Sequence, residues 1–332
     1  MISVQERVGA KRGRWTVADV PDQSGRTAVV SGANVGLGLA TARLLASRGA
    51  TVVLACRDIV KAERAAGRIR TEAGRANVDV VRLDLSSIAS VREAADEVRS
   101  GYPRLDLLIN NAGVMAVPYQ RTEDGFELTL ATNHLGHFAL TGLLLDRLLA
   151  TAGSRIVTVS SVAHRRGLMH FGDLQSEHRY KPADAYGQSK LANLLFTNEL
   201  QARLDAAGAR TIALAAHPGN ARTDLWRTSS RLERVLISPR LRLLNFWLVQ
   251  SAELGALPTL RAAVDPSARG GDYYGPAGPF QYTGYPTRVD SSPRSQDAAA
   301  RRRLWDVSEQ LTGVSYRIPQ PSEPEDDYRG RK

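Results

Sequence analysis

Residues 27 to 38 read Thr-Ala-Val-Val-Ser-Gly-Ala-Asn-Val-Gly-Leu-Gly, a strand-like apolar run followed by three glycines and a helical pattern. The glycines have the spacing G-x-x-x-G-x-G, which permits a tight turn and a close approach of the backbone to a pyrophosphate. Free N–H groups at the start of the following helix favour bound phosphate. A plain glycine-rich turn is the alternative, and the flanking strand and helix favour a dinucleotide cradle. The predicted cradle consists of Gly32, Asn34, Gly36, Leu37 and Gly38.

On both sides of this stretch, strand-like and helical patterns alternate along the chain. The predicted strands are continuous apolar runs, which is typical of a parallel sheet covered by helices on both faces. Repeated βαβ units predict a single α/β domain with a doubly wound (Rossmann) parallel sheet. The predicted strands are 27–30, 51–56, 78–83, 105–109, 155–161 and 211–216, and the predicted helices include 59–72, 88–99, 124–150, 184–206 and 297–312.

The domain is expected to span residues 25–315, with a substrate-binding element near 224–250. Residues 1–24 are polar and basic and read as an N-terminal arm, whereas 316–332 are Pro-rich and charged and read as a flexible tail. The Arg-rich segment 224–250 also carries leucines and aromatic residues. It is either an amphipathic element packed on the body of the domain or a mobile lid over an apolar substrate.

Composition excludes several classes of protein. The chain of 332 residues has one cysteine, Cys56, so it has no intramolecular disulfide or cysteine-rich metal site, and we expect a cytoplasmic location. No apolar run approaches the roughly 20 residues of a membrane helix, so no integral membrane segment is predicted. The net charge of +10 comes from scattered basic residues. We therefore do not expect a nucleic-acid partner; a protein that binds nucleic acid or a membrane surface through this charge would lose affinity steeply with salt.

Charged residues follow the second and third predicted strands. A basic residue at the end of the second strand selects the 2′-phosphate of NADP(H), and an acidic one selects the ribose hydroxyl of NAD(H). Arg57 precedes Asp58 here, so we favour NADP(H) over NAD(H), although the two could also form a helix-capping pair. Asp84 follows the third strand and could accept from the adenine amino group, cap the next helix, or do both.

Several polar residues in the middle of the chain lie where a strand ends or inside a predicted helix. Asn110-Asn-Ala-Gly113 follows the fourth strand, at the edge of the sheet where such folds bind ligands. Asn133 lies inside a predicted helix, where asparagine is unfavourable and needs a reason. His134 and His137 could ligate a metal, but no third ligand is evident, so no metal site is predicted.

A hydroxyl pair and a Tyr-Lys pair are the candidate catalytic groups. Ser160 and Ser161 end the fifth predicted strand, and Tyr186-x-x-x-Lys190 lies on the following helix. Residues four apart share one helical face, so the Lys190 ammonium would approach the Tyr186 phenol and lower its pKa from about 10 toward neutrality. A phenol of that kind is a competent general acid and base.

These motifs together resemble the short-chain dehydrogenase/reductase family over residues 25 to 315. The resemblance rests on the ordered set of Gly32-x-x-x-Gly36-x-Gly38, Asn110-Asn-Ala-Gly113, Asn133, Ser161, Tyr186-x-x-x-Lys190 and Pro218-Gly219. It is closest to the retinol dehydrogenase branch, which is similar in Ala55-Cys-Arg-Asp58, Asn133-His-Leu-Gly-His-Phe138, Val159-Ser-Ser-Val-Ala-His164, Asp173-Leu-Gln-Ser-Glu177 and Ser189-Lys-Leu-Ala-Asn193.

The resemblance implies that Tyr186 exchanges a proton with a carbonyl or alcohol oxygen while a hydride moves to or from the nicotinamide. Lys190 would lower the Tyr186 pKa and bind the nicotinamide ribose, Ser161 would hold the substrate oxygen, and Asn133 would hold a water that links Lys190 to solvent. The implied catalytic residues are therefore Asn133, Ser161, Tyr186 and Lys190. The implied cofactor contacts are Gly32, Asn34, Gly36, Leu37, Gly38, Arg57, Asp84, Leu85, Asn111, Ala112, Gly113, Tyr186, Lys190, Pro218, Gly219 and Thr223.

The chain departs from the family pattern in two places. Ser31 stands where the family usually has Thr, which keeps the hydroxyl. The vertebrate retinol enzymes carry an N-terminal membrane segment that we do not find here. We expect an apolar carbonyl or alcohol as substrate, with a non-catalytic dinucleotide-binding redox sensor as the alternative. The leucine-rich helices 124–150 and 184–206 allow a paired-helix homodimer, with a monomer as the alternative.

Overall fold

The computed structural model describes residues 14–74, 76–220 and 250–319. In this part of the chain, the strands are β1 (Thr27–Ser31), β2 (Thr51–Cys56), β3 (Val78–Arg82), β4 (Leu107–Asn110), β5 (Arg155–Val159), β6 (Ile212–Ala216), β7 (Tyr273–Pro276) and β8 (Pro286–Arg288). The helices are α1 (Gly36–Ser47), α2 (Ile59–Glu72), α3 (Ile88–Gly101), α4 (Leu128–Leu130), α5 (Gly136–Ala150), α6 (Pro182–Ala206), α7 (Ala252–Val264) and α8 (Ala298–Thr312).

The strands form one sheet with the order β3-β2-β1-β4-β5-β6-β7-β8. All neighbouring strands are parallel except β7 and β8, which pair antiparallel. The strand order reverses at β1, which pairs with β2 on one side and with β4 on the other. Ligands of doubly wound sheets bind in the crevice at such a switch point, beyond the carboxyl ends of the strands.

Alternate residues of β1 face two separate cores. Val30 belongs to a cluster with Leu45 of α1, and Val29 belongs to a second cluster with Phe138 of α5. Helices α1, α2 and α7 contribute buried residues to the first cluster, and α3, α5 and α6 to the second. The prediction of a doubly wound parallel sheet with helices on both faces is confirmed.

The predicted helix 124–150 begins later and is interrupted. Glu127 caps its start, because its two carboxylate oxygens accept from the N–H groups of Thr129 and Leu130, each at 2.7 Å. A turn of π-helix, Ala131–Leu135, then separates α4 from α5. Asn133 lies in this π turn, and such turns are frequent at functional sites.

Helix α8 covers the face that α5 and α6 present. Trp305 is fully buried, and its ring centroid lies 5.2 Å from that of Phe138 on α5 and 6.0 Å from that of Phe196 on α6. Tyr316 continues this packing, with its ring 4.4 Å from Trp305 and its hydroxyl donating to the carbonyl of Phe138 at 2.6 Å. Tyr316, one residue after the predicted boundary at 315, therefore packs with these helices.

The other predicted boundaries fall partly outside the described residues. Trp15, in the predicted arm, packs against the first core cluster. Most of the predicted lid, residues 224–249, and the tail from residue 320 lie outside the described ranges. Across the described ranges, no helix combines the length and the apolar character needed to cross a bilayer.

Candidate active site

A crevice of about 540 Å³ opens at the switch point between β1 and β4. It is lined by most of the residues predicted to contact the cofactor, namely Gly32, Asn34, Gly36, Leu37, Gly38, Arg57, Asp84, Leu85, Asn111, Ala112 and Gly113. Sequence reasoning missed other lining residues, among them Val35, Lys61, Val114, Val117 and Thr132. Of these, Lys61 was detectable, because it lies one helical turn after Asp58 on α2.

The glycines of the cradle are required by contact and by conformation. Gly32 has φ +65°, which favours glycine. A side chain on Gly38 would collide with the carbonyl oxygen of Gly32 and would lie 2.6 Å from Nδ2 of Asn111. The first turn of α1 therefore sits directly on the β1 turn, and Gly36, Leu37 and Gly38 at the start of α1 line the crevice. This geometry fits a dinucleotide pyrophosphate.

Gly38→Ala is expected to lower the free energy of unfolding by about 1 to 3 kcal/mol, because its Cβ meets backbone and has no space to relax. Gly67→Ala on α2 is the matched control, since a Cβ there meets nothing within 4 Å. Removing a helical glycine at an open position should raise stability by about 0.5 to 1 kcal/mol. Urea unfolding of the two variants measures both the expected loss of stability in Gly38→Ala and the expected gain in Gly67→Ala. Equal stability of Gly38→Ala and wild type would contradict the tight packing.

The charged residues after β2 have separate roles. Asp58 is the N-cap of α2, because its Oδ1 accepts from the N–H of Lys61 at 3.0 Å. Its Oδ2 forms an ion pair with Lys61 Nζ at 2.7 Å. Arg57 is exposed, lines the crevice and forms no ion pair with any described residue. The capping role that the sequence allowed for this pair is therefore filled by Asp58 alone.

Asp84 lines the crevice at the end of β3 but does not cap the next helix. The N-cap of α3 is Ser87, whose hydroxyl accepts from the N–H of Ser90 at 3.4 Å. The Asp84 carboxylate instead accepts from the backbone N–H of Ser86 at 3.0 Å. Of the two roles that the sequence left open for Asp84, helix capping is wrong.

Ser31 ties the end of β1 to the segment after β4. Its Oγ accepts from the N–H groups of Asn111 at 2.9 Å and of Ala112 at 3.0 Å. The Asn111 side chain donates to the carbonyl of Ser31 at 2.9 Å. The hydroxyl that Ser31 has in common with the usual Thr is therefore used in the structure.

Asn133 holds the crevice wall against α6. Its Oδ1 accepts from the N–H of Val114 at 2.7 Å, and its Nδ2 donates to the carbonyl of Val114 at 3.0 Å and to Ser189 Oγ at 2.9 Å. A Cβ on Gly113 would lie 3.0 Å from Asn133 Oδ1 and 3.5 Å from Lys190 Nζ. These hydrogen bonds account for an asparagine inside the helix. Gly113 lies where the crevice meets the Tyr-Lys pair.

The predicted catalytic side chains converge at the carboxyl edge of β5. Ser161 follows this strand and caps a short 3₁₀ helix, Val162–Arg165, where its Oγ accepts from the N–H of Ala163 at 3.2 Å. The Ser161 side chain also lies close enough to Tyr186 of α6 to favour its phenolate. Lys190 Nζ lies 5.7 Å from the centre of the Tyr186 ring and donates to the carbonyl of Val159 at 3.0 Å.

Burial controls the ionisation of this pair. It raises the pKa of Tyr186 above its ordinary value, against the opposing effect of the Ser161 hydrogen bond. It also lowers the pKa of Lys190 to about 8. The spacing of the two residues predicted a lowered Tyr186 pKa, and that prediction is wrong because desolvation of the phenolate outweighs the opposing effect of Ser161. At neutral pH, Tyr186 keeps its proton and Lys190 stays mostly cationic.

The remaining predicted contacts follow β6. Gly219 has φ +62°, and a side chain there would collide with the carbonyl oxygen of Tyr282. The carbonyl of Pro218 accepts from the Gln250 side chain at 2.6 Å. This segment lies next to the last described residue before the gap, Asn220, and Thr223 lies outside the described residues.

The two histidines after Asn133 serve different partners. His134 Nε2 lies 2.8 Å from Ser308 Oγ on α8, whereas His137 Nε2 lies 2.8 Å from Ser31 Oγ at the crevice. Among the described residues, no group of three or more His, Cys, Asp or Glu side chains is placed to hold a metal ion.

Comparison with known proteins places the chain among known enzymes. A family model for the short chain dehydrogenase matches residues 26–233. Retinol dehydrogenase 12 of Homo sapiens is 45% identical over 296 residues, which is 88% of each chain. Retinol dehydrogenase 13 of Homo sapiens is 44% identical over 293 residues, which is 87% of this chain and 85% of that one.

Solved structures agree with this placement. An uncharacterized protein from Mycobacterium paratuberculosis is 46% identical with a TM-score of 0.77, covering 92% of this chain and 100% of that chain. The Pseudomonas aeruginosa RhlG/NADP active-site complex shares the fold, with a TM-score of 0.60 and 24% identity over 76% of this chain and 94% of that chain. The chain therefore belongs to the short-chain dehydrogenase/reductase family of oxidoreductases, which bind a nicotinamide dinucleotide, and within it to the retinol dehydrogenase-like branch.

Proposed function

We propose that this protein is an NADP(H)-dependent oxidoreductase that interconverts a carbonyl and an alcohol on a fairly apolar small molecule. One observation carries the proposal: Ser161, Tyr186 and Lys190 converge at the carboxyl edge of the sheet, beside a glycine-lined crevice. The bound nicotinamide supplies the hydride in reduction and accepts it in oxidation. The protein contributes positioning and proton transfer.

Each catalytic side chain has a role that follows from its surroundings. Tyr186 is protonated at neutral pH and donates its proton to a carbonyl oxygen, or receives one from an alcohol. Ser161 holds that oxygen next to the phenol. Lys190 provides positive charge, which stabilises the phenolate that remains after the proton has moved. Asn133 keeps Val114 and Ser189 in place around them.

The charges beside the crevice support NADP(H) over NAD(H). Both carboxylate oxygens of Asp58 are engaged by Lys61, so its charge is offset and it is not free to select a ribose hydroxyl. Arg57 is uncompensated among the described residues and lines the crevice. A guanidinium in that place suits a 2′-phosphate, which it can bind through two parallel hydrogen bonds.

The crevice wall supports an apolar substrate. Val114, Met115 and Val117 line the crevice after Gly113, which adjoins Lys190. Tyr180 donates to the carbonyl of Val117 at 2.8 Å and packs edge-on against Tyr119, with ring centroids 5.2 Å apart. The relatives named retinol dehydrogenases make a long apolar alcohol or aldehyde a reasonable first member of any substrate panel.

The function is tested by following NADPH oxidation with a panel of apolar aldehydes, ketones and quinones, retinal among them. Turnover of at least one carbonyl is expected. Tight NADPH binding without turnover of any member would move the assignment to the alternative, a non-catalytic dinucleotide-binding redox sensor. Failure to bind either NADPH or NADH would overturn both.

Arg57→Ser is expected to weaken NADPH binding by about 10- to 100-fold, because a charge-assisted bond to a phosphate is lost, and to leave NADH binding within about twofold. Arg82→Ser is the matched control. It removes the same charge at the exposed end of the neighbouring strand β3, outside the crevice. Equal loss of NADPH affinity in both variants would mean that general charge, and not a phosphate contact, is responsible.

The proposal also covers the location and the partners of the protein. We propose a cytoplasmic enzyme that acts on small molecules, without a nucleic-acid partner. A homodimer stays a prediction, and one that pairs α5 with α6 would first have to displace α8, which packs over both. Size-exclusion chromatography with light scattering distinguishes a dimer from a monomer.

A further inference from the structure

One buried imidazole connects two parts of the site that are far apart in sequence. His137, near the start of α5, is 1% exposed. Its Nδ1 lies 3.1 Å from the carbonyl oxygen of Asn133, and its Nε2 lies 2.8 Å from Ser31 Oγ. The ring therefore bridges the π turn and the end of β1, which are about a hundred residues apart along the chain.

The hydrogen-bond partners determine where the protons are. A carbonyl oxygen can only accept, so Nδ1 of His137 carries a proton and donates to Asn133. Burial lowers the pKa of His137 to about 3, so the ring is neutral and its Nε2 is an acceptor. The Ser31 hydroxyl then donates to Nε2 at 2.8 Å, which is nearer than its other acceptor, the carbonyl of Ile109 at 3.3 Å. Its lone pairs accept from the N–H groups of Asn111 and Ala112. Every donor in this set of hydrogen bonds therefore has an acceptor.

The π turn supplies the geometry for the first of these bonds. Within it, the N–H of Gly136 donates to the carbonyl of Ala131, five residues back, so the helical ladder is shifted by one residue. His137 adds a side-chain donor to the carbonyl of Asn133 at this irregular point. The turn is thus held partly by a group that also reaches the crevice.

Both ends of the bridge hold the same segment of crevice wall. At one end, the Asn133 side chain binds the N–H and carbonyl of Val114. At the other, Ser31 binds the N–H groups of Asn111 and Ala112. The segment from residue 111 to residue 114 includes Gly113, which adjoins Lys190. Its position against Lys190 is therefore set from both ends through the His137 ring.

We propose that His137 is a positioning residue that locks the segment 111–114 to both Ser31 and Asn133, and so sets the distance between the cofactor crevice and Lys190. The proposal rests on the function proposed above for its effect on turnover, but its effect on dinucleotide affinity stands without that function. His137 touches neither substrate nor cofactor in this role; it acts through its two hydrogen-bond partners.

The test compares His137→Leu with His134→Leu. The two histidines are equally buried and three residues apart, but His134 bonds Ser308 of α8 and not the crevice. His137→Leu is expected to raise the Kd for NADPH and to lower kcat by about tenfold each, because two buried bonds that orient the wall are lost. His134→Leu is expected to lose stability in urea and to keep the Kd and kcat within about twofold of wild type.

Two further variants keep the test informative where His137→Leu folds poorly. His137→Gln retains one donor and one acceptor and should recover most of the NADPH affinity. Ser31→Ala should weaken NADPH binding, and adding His137→Leu to it should cost less than the sum of the single effects, since the two residues share one bond. NADPH affinity is read by fluorescence titration, independently of any turnover.

A purely structural role would give a different pattern. Equal losses of stability in His134→Leu and His137→Leu, with unchanged NADPH affinity and kcat in the latter, would overturn the proposal. Strictly additive effects of Ser31→Ala and His137→Leu on NADPH affinity would overturn it as well. Absence of turnover in the wild type would contradict the proposed enzyme function. The NADPH titrations would still decide the role of His137.

Discussion

Tyr186→Phe is expected to reduce kcat by about 10²- to 10⁴-fold, the usual contribution of a positioned general acid or base. The substitution removes only the hydroxyl beside Ser161 and leaves the ring packed beside Lys190. Cofactor affinity is therefore expected to change by less than about threefold. The measurement is kcat with a saturating carbonyl and NADPH, together with the Kd of NADPH by fluorescence.

The matched control is Tyr102→Phe, which also removes one hydroxyl. Tyr102 donates to Asp79 at 2.6 Å, away from the crevice and from α6. This variant should keep kcat within about twofold of wild type. A Tyr186→Phe enzyme that retains more than a tenth of the wild-type kcat would show that another group transfers the proton, and Ser161 would be the first to examine.

Lys190→Met is expected to lower kcat by about 10²-fold and at the same time to make the protein more stable at neutral pH. Lys190 is 4% exposed, and burial lowers its pKa from 10.5 to about 8. Keeping that charge buried costs up to about 3 kcal/mol. The carbonyl of Val159 would not be left unpaired, since Asn193 Nδ2 also donates to it, at 3.1 Å.

The gain of stability in Lys190→Met is expected to depend on pH. Because the folded-state pKa of Lys190 lies below its unfolded value, the cost is fully present below pH 8 and disappears as the pH rises toward 10.5. The stability advantage of Lys190→Met, about 2 to 3 kcal/mol in urea at pH 7, should therefore shrink by pH 10. Lys181→Met, at an exposed position before α6, should change stability by less than about 0.5 kcal/mol.

Two results would contradict the stability prediction for Lys190→Met. A Lys190→Met variant that is less stable than wild type at pH 7 would mean that the ammonium is stabilised by groups near Val159 and Gly113 more than it is penalised by burial. A stability difference that does not change between pH 7 and pH 10 would show that lost packing, and not charge, is responsible.

The conflict between the Tyr186 expectation and the structure has a simple physical cause. The i, i+4 spacing brings Tyr186 and Lys190 to one face of α6, as predicted, but it carries no information on how deeply that face is buried. Sixteen residues of α6 are buried, Lys190 among them, and Tyr186 is half-buried, because α8 and the sheet pack against the helix. Desolvation then dominates the ionisation of both groups.

The amino-acid sequence by itself predicted the parallel strands β1 to β6 and most of the crevice. Strand β2 and helix α2 have the predicted bounds, since the apolar run 51–56 and the pattern of 59–72 are local signals, and Asp58 caps the helix between them. The glycines, Asn111 and Gly113 were recognisable because a motif in each case lies at the end of a strand. Parallel strands bring such ends to one edge, so local patterns were enough to assemble the crevice.

Only the tertiary structure decided the features that depend on contacts between distant segments. The π turn at Asn133 exists where its side chain meets Val114 and Ser189, and no local pattern encodes those partners. The raised pKa of Tyr186 and the bridge from His137 to Ser31 likewise required coordinates. Periodicity and spacing report which face of an element a residue occupies, whereas burial and hydrogen bonding depend on what the rest of the chain places against that face.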